Sequence, residues 1–196
     1  MDEANLAALA AFALVTSITP GPNNMMLMAS GANFGVRRTI PHALGVGVGF
    51  TLMIILVGVG LMGLFDLFPL LNLVLKLVSV VYLLWLAWKM AHAAAPETEG
   101  SAGGRPMSFL QAMLFQWVNP KAWSMALTAI ALYARDRNLA AVVLVAAVFG
   151  IINLPSTSLW ALMGQALRRW LSSPARLRTF NWTMASLLVG SLALLI

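Results

Sequence analysis

The stretch Thr16-Ser17-Ile18-Thr19-Pro20-Gly21-Pro22-Asn23-Asn24 decides how this chain is read. It stands inside an apolar run, residues 5–33, long enough to cross about 30 Å of hydrocarbon as one helix. A proline removes a backbone donor, clashes with the turn behind it and pushes the preceding residue out of the helical region. Two prolines around a glycine therefore predict a helix that stops and restarts in mid-span. Thr19-Pro20 reads as a cap followed by proline, the signal of a restart. Backbone groups freed in lipid have no solvent to pair with, so such a break needs protein or a watery cavity around it. Asn23 and Asn24 add amide groups that lipid cannot satisfy. The alternative is a packing kink, with the two asparagines bonding to a neighbouring helix.

Composition supports the membrane reading. Of 196 residues, 61% are hydrophobic and 9% charged, and the mean hydropathy is +0.87, far from soluble values. Six runs are long enough to span: 5–33, 41–64, 68–91, 108–134, 139–164 and 179–196. Asp2 and Glu3 precede the first run with no basic residue, unlike a secretory signal, so span one is expected to be retained. With no cysteine, disulfides and thiolate metal sites are excluded. His42 and His92 stand far apart without companion ligands, which argues against a metal centre, and nothing in the chain asks for a cofactor.

The net charge of +6 does not form the continuous basic stripe of a nucleic-acid binder. Arg37, Arg38, Lys89, Arg105, Arg168, Arg169, Arg176 and Arg178 fall in alternate loops, with Arg135 and Arg137 in the opposite set. The positive-inside rule then puts the odd-numbered loops in the cytoplasm and both termini outside. Residues 93–106, rich in Gly, Pro and Glu, read as a flexible cytoplasmic linker. Residues 165–178 mix Trp170 with four arginines and suit an interfacial anchor on anionic lipid.

The linker separates two halves, 1–92 and 107–196. Aligning Pro20 with Pro120 sets Met25 on Met125, Leu27 on Leu127 and Ala29 on Ala129. Three spans per half force the second to enter the bilayer from the opposite side, the pattern of an inverted repeat. The expected fold is an all-α integral membrane protein of six helices in two inverted three-helix repeats, with helices one and four broken. Both breaks carry a restart, Thr19-Pro20 and Asn119-Pro120. Restarted half-helices would turn their partly positive N-termini toward a common centre, which suits a carboxylate.

Lys121 is the charge hardest to explain as structure. A charge at mid-span costs at least about 2.5 kcal/mol on insertion scales, and the acid nearest any span is Asp66, at a helix end. Either Lys121 pairs there or it receives an anionic group and takes part in proton exchange. Lys76 could enter the site, snorkel outward or pair with Asp66. Asn153, beside Pro155, Ser156, Thr157 and Ser158, is a candidate cavity residue in span five. Trp117 and Trp123 flank the second break and could wall a pocket, while Trp85, Trp88 and Trp170 suit the membrane interface.

At these residues the chain resembles the LysE/RhtB amino-acid exporters. The resemblance rests on Thr19-Pro20-Gly21-Pro22-Asn23, then Gly31, Gly35, Gly45 and Gly49, then Leu75-Lys76-Leu77-Val78 with Tyr82-Leu83, and Asn119-Pro120-Lys121-Ala122. These cover most of residues 12–126; Ser79 and Ala87 depart from the family's small glycines. The resemblance implies efflux of amino acids or similar metabolites through the inner membrane of a bacterium, coupled to the proton gradient. Read from the two breaks and the polar groups beside them, the candidate substrate site comprises Thr19, Pro20, Gly21, Pro22, Asn23, Asn24, Asn119, Pro120 and Lys121, with Lys76 and Asn153 added from their polarity. The partners expected are a small carboxylate-bearing solute and membrane lipid, with a homo-oligomer left open. Scarcity of acids at mid-span favours a neutral or singly negative substrate over a dicationic one. The rival classes are an inorganic-ion or other small-solute transporter and a non-transporting scaffold. An intramembrane enzyme would need a nucleophile–base pair or metal ligands inside the spans, and the sequence offers neither.

Overall fold

The computed structural model describes residues 3–61, 70–92, 105–134 and 138–191. They form α1 (Glu3–Ile18), α2 (Pro22–Phe34), α3 (Val36–Leu56), α4 (Leu70–Ala91), α5 (Phe109–Phe115), α6 (Pro120–Tyr133), α7 (Leu139–Leu167) and α8 (Pro174–Gly190). Asp66, Arg135, Arg137 and linker residues 93–104 lie outside the described residues.

Among the described residues three helices are long and apolar enough to cross a membrane: Val36–Gly60, Leu73–Ala91 and Leu139–Leu167. The pair α1 and α2 passes the same test together, bent by 53° at the quoted stretch. The run 108–134 is likewise interrupted, as α5, a 3-10 turn over Gln116–Val118, and α6. The last helix begins at Pro174, earlier than hydropathy suggests, and so carries Arg176 and Arg178 in its first turns.

The first helix does not restart on Thr19-Pro20; α2 begins at Pro22, with Gly21 in the cap position and extended. Pro20 sits in the gap, and the cap-then-proline pair is Gly21-Pro22. At the second break Asn119 and Pro120 take those roles as expected. The structural match therefore pairs Pro22 with Pro120, and Asn23 with Lys121.

The distribution of polarity is that of a chain dissolved in lipid. Ile151 is 73% exposed and Val81 68%, whereas Asn24, Asn33, His42, Gln116, Asn153 and Asn181 are all buried. Apolar side chains cost nothing against hydrocarbon, while amides there need partners, so the polar groups turn inward. Asn33 and Asn181 exchange amide hydrogen bonds between α2 and α8 at 3.0 and 3.4 Å. The hydroxyls of Ser30 and Thr39 share a bond of 2.8 Å. Trp85 lies under Lys89 at 5.3 Å and Trp170 under Arg176 at 5.4 Å. Both tryptophans are exposed near helix ends, as an interfacial role requires.

Packing fixes where the breaks sit. α2 lies along α7, α3 packs on both α5 and α7, and α4 packs on α8. Glycines allow the closest of these approaches. A methyl group at Gly31 would overlap the Ala161 carbonyl, and one at Gly164 the Met28 carbonyl. At one end of the bundle Leu9, Val57, Ala134 and Val142 share a core cluster around Phe149. At the other end the Val36 amide donates to Gln165 Oε1 at 2.6 Å, and the Arg168 guanidinium lies beside Gly35. The α2–α3 and α7–α8 connections thus share one end, and the two breaks fall between the ends.

Candidate functional site

At the first break, the carbonyls left without helical partners find them elsewhere in the chain. Asn24 Nδ2 donates to Ser17 O and to Thr19 O, each at 2.8 Å. Trp160 Nε1, from α7, reaches Ile18 O at 3.1 Å. Lys121 Nζ, from α6, donates to Thr19 O at 2.6 Å, Thr19 Oγ1 at 2.9 Å and Pro20 O at 3.2 Å. Gly21 is what lets the lysine in, since a Cβ there would strike Lys121 Cδ. Gly21 also offers no side-chain cap, so the first amides of α2, including those of Asn23 and Asn24, are left uncapped by any side chain.

The second break closes mostly on itself. Asn119 accepts from the Lys121 amide at 3.1 Å, its own amide donates to Gln116 O at 3.2 Å, and Trp123 Nε1 donates to Trp117 O at 2.9 Å. Trp117 and Trp123 stack edge to face with centroids 5.9 Å apart and brace this turn. They do not line the cavity, contrary to the role considered for them. The breaks are also clamped together by an amide pair. Asn23 Nδ2 donates to Gln116 Oε1 at 2.9 Å and Gln116 Nε2 donates back at 3.2 Å.

Between the breaks lies a cavity of about 20 Å³, bounded by Gly21, Asn23 and Asn24 of the first half and Asn119, Lys121 and Asn153 of the second, with Thr16, Ser17 and Phe50 completing one wall. Of the sequence-derived candidates, Thr19 and Pro20 hold the lysine, and Gly21, Asn23, Asn24, Asn119, Lys121 and Asn153 face the cavity. Pro22 and Pro120 are buried as the first residues of their restarted helices. Lys76 is on the exposed side of α4 and is not brought to the cavity. Gln116 and Phe50 were not singled out in the sequence, and Thr16, Ser17 and Thr157 were named there only as neighbours of the candidates. Gln116 carried a usable signal, an amide between Phe115 and Trp117 in a run otherwise fit for lipid. Among the described residues no three metal-type ligands converge.

A buried polar centre where two interrupted helices meet, in a chain whose outer face is apolar, defines a multi-pass membrane transporter. Residues 14–196 match the family model described as LysE type translocator, and the chain belongs to that family. It is thereby a translocator and not an enzyme. Among its relatives is the cysteine/O-acetylserine efflux protein of Escherichia coli K12, 29% identical over 186 residues, 94% of this chain and 93% of the relative. The protein of the same name from Klebsiella pneumoniae subsp. pneumoniae is 30% identical over the same shares. No solved structure matches the chain.

Proposed function

We propose that this chain exports small amino acids across a bacterial inner membrane, with both termini outside, and that the cavity between the two breaks is its substrate site. Six crossings in two inverted halves, 1–92 and 107–196, form the frame. The partner choices of the helices support this arrangement: α1 and α2 with α7, α5 with α3, and α4 with α8. The relatives named for cysteine and O-acetylserine efflux support a substrate of that size and charge.

The observation that carries the reading is Lys121, which spans the breaks and spends its charge on the backbone of Thr19 and Pro20. Neutral carbonyls are weaker partners for an ammonium than a carboxylate. A substrate carboxylate draws Lys121 off those carbonyls and at the same time meets the uncapped amides opening α2. At about 20 Å³ the cavity has room for roughly one water, far below the several hundred Å³ typical of ligand sites. The breaks must therefore part to admit substrate. Rocking of one half against the other around a fixed centre provides that opening, and the proton gradient drives the cycle.

The test is export of labelled L-cysteine from proteoliposomes with and without an imposed proton gradient. Lys121→Met should insert normally, because it removes a costly intramembrane charge, yet lose transport to background. Normal flux by an inserted Met variant would overturn the site, and flux indifferent to the gradient would remove the coupling.

A further inference from the structure

Asn153, in the middle of α7, is 4% exposed and faces the same cavity as Lys121. Its Nδ2 donates to Ser17 Oγ at 3.2 Å, while its Oδ1 has no hydrogen-bond partner among the described residues. The neighbouring hydroxyls are committed to their own helix: Ser156 donates to Ile152 O at 2.8 Å, and Thr157 to Asn153 O at 2.9 Å. A buried acceptor left unpaired is costly, and native proteins keep few of them. One carried by a residue of the cavity wall, with its amide nitrogen anchored to Ser17, is placed to take a donor from outside the chain when the cavity widens.

We propose that Asn153 Oδ1 receives the ammonium group of the substrate and is the residue that selects for a free amino group. This rests on the reading of Lys121 as the carboxylate anchor, and together they orient a zwitterion across the cavity. The carboxylate lies toward Lys121 and the start of α2; the ammonium lies toward α7. A neutral amide suits this place better than an acid. Aspartate would be drawn to Lys121 in the empty site, and the pair would have to be separated at every cycle. An amide oxygen gives the ammonium an acceptor without competing for the lysine, so the empty cavity keeps its two ends distinct.

The test uses the full chain in proteoliposomes, with L-cysteine and 3-mercaptopropionate as probes. The two share a thiol and a carboxylate and differ in the amino group. Wild type should favour L-cysteine by roughly tenfold to a hundredfold, the worth of one hydrogen bond to a charged group. Asn153→Leu should bring the two fluxes together, lowering that of L-cysteine at least about tenfold more than that of 3-mercaptopropionate. Asn153→Asp, which keeps an oxygen at the same place, should retain the preference with slower turnover, and it carries the test should the Leu variant fail to insert. An unchanged ratio in Asn153→Leu, or a preference abolished in Asn153→Asp, would overturn the proposal. Failure of the carboxylate reading is distinguishable, because Lys121→Met would then carry both probes at the wild-type rate. If wild type carries neither probe, both readings fall.

Discussion

The two helix breaks solve one physical problem in opposite ways. The second closes with local material: a 3-10 turn, the Asn119 cap and the Trp123 indole, all within a few residues of Pro120. The first is closed in large part from a distance, by Trp160 and Lys121, more than a hundred residues along the chain. A self-sealed break keeps its shape whatever its surroundings do. A break sealed by other helices loses its partners when those helices move, and its carbonyls become available. The seal of the first break thus depends on helices other than its own, and the second break carries the Lys121 that helps to close it.

The largest effect expected from this contrast is on stability. Asn24→Leu strips the side-chain donor from buried Ser17 O and one of two from Thr19 O, which Lys121 still meets, and should destabilise the protein by about 1–3 kcal/mol. Unfolding in detergent would measure it, and a loss below about 1 kcal/mol would show that water or rearranged neighbours seal the first break as well.

Next comes accessibility. Thr19 is exposed and Asn119 is 1% exposed, so Thr19→Cys should react with a small water-soluble thiol reagent at least about tenfold faster than Asn119→Cys, a gap of about 1.4 kcal/mol in access. Excess substrate should slow the first reaction. Equal rates would mean that the two breaks open alike.

The smallest effect is at the local cap. Asn119→Ala should cost about 1 kcal/mol, the usual worth of an N-cap, with transport reduced but present. A cost above about 2 kcal/mol would show that the second break hangs on this one cap and is not held by several local contacts.

The helical class, the membrane solvent and both interruptions were legible in the sequence, because proline chemistry and hydropathy act locally. So were the amides and the lysine that line the cavity, since such groups in an apolar run have few other uses. What escaped depended on geometry between distant segments. Nothing in the order of residues tells that Lys121 reaches Thr19 and Pro20, or that Gly21 is small to let it pass. The offset of the first restart from Pro20 to Pro22 escaped because each proline of a Pro-Gly-Pro can begin a helix, and tertiary partners choose between them. Lys76 could not be ranked from sequence, as an amphipathic side chain a third of the way into a span is compatible with several destinations.

The glycine contacts between α2 and α7 have a mechanical side. With Gly31 against the Ala161 carbonyl and Gly164 against the Met28 carbonyl, no side chains lie between the two backbones at those points to yield or change rotamer. α2 rests on α7 as a stiff rod, about 20 Å long at 1.5 Å per residue over its thirteen residues. One end of the rod is Gly21, under Lys121; the other is Gly35, beside Gln165 and Arg168. On the substrate reading proposed above, a displacement begun at the lysine would be carried along this rod toward the arginine-bearing end of the bundle.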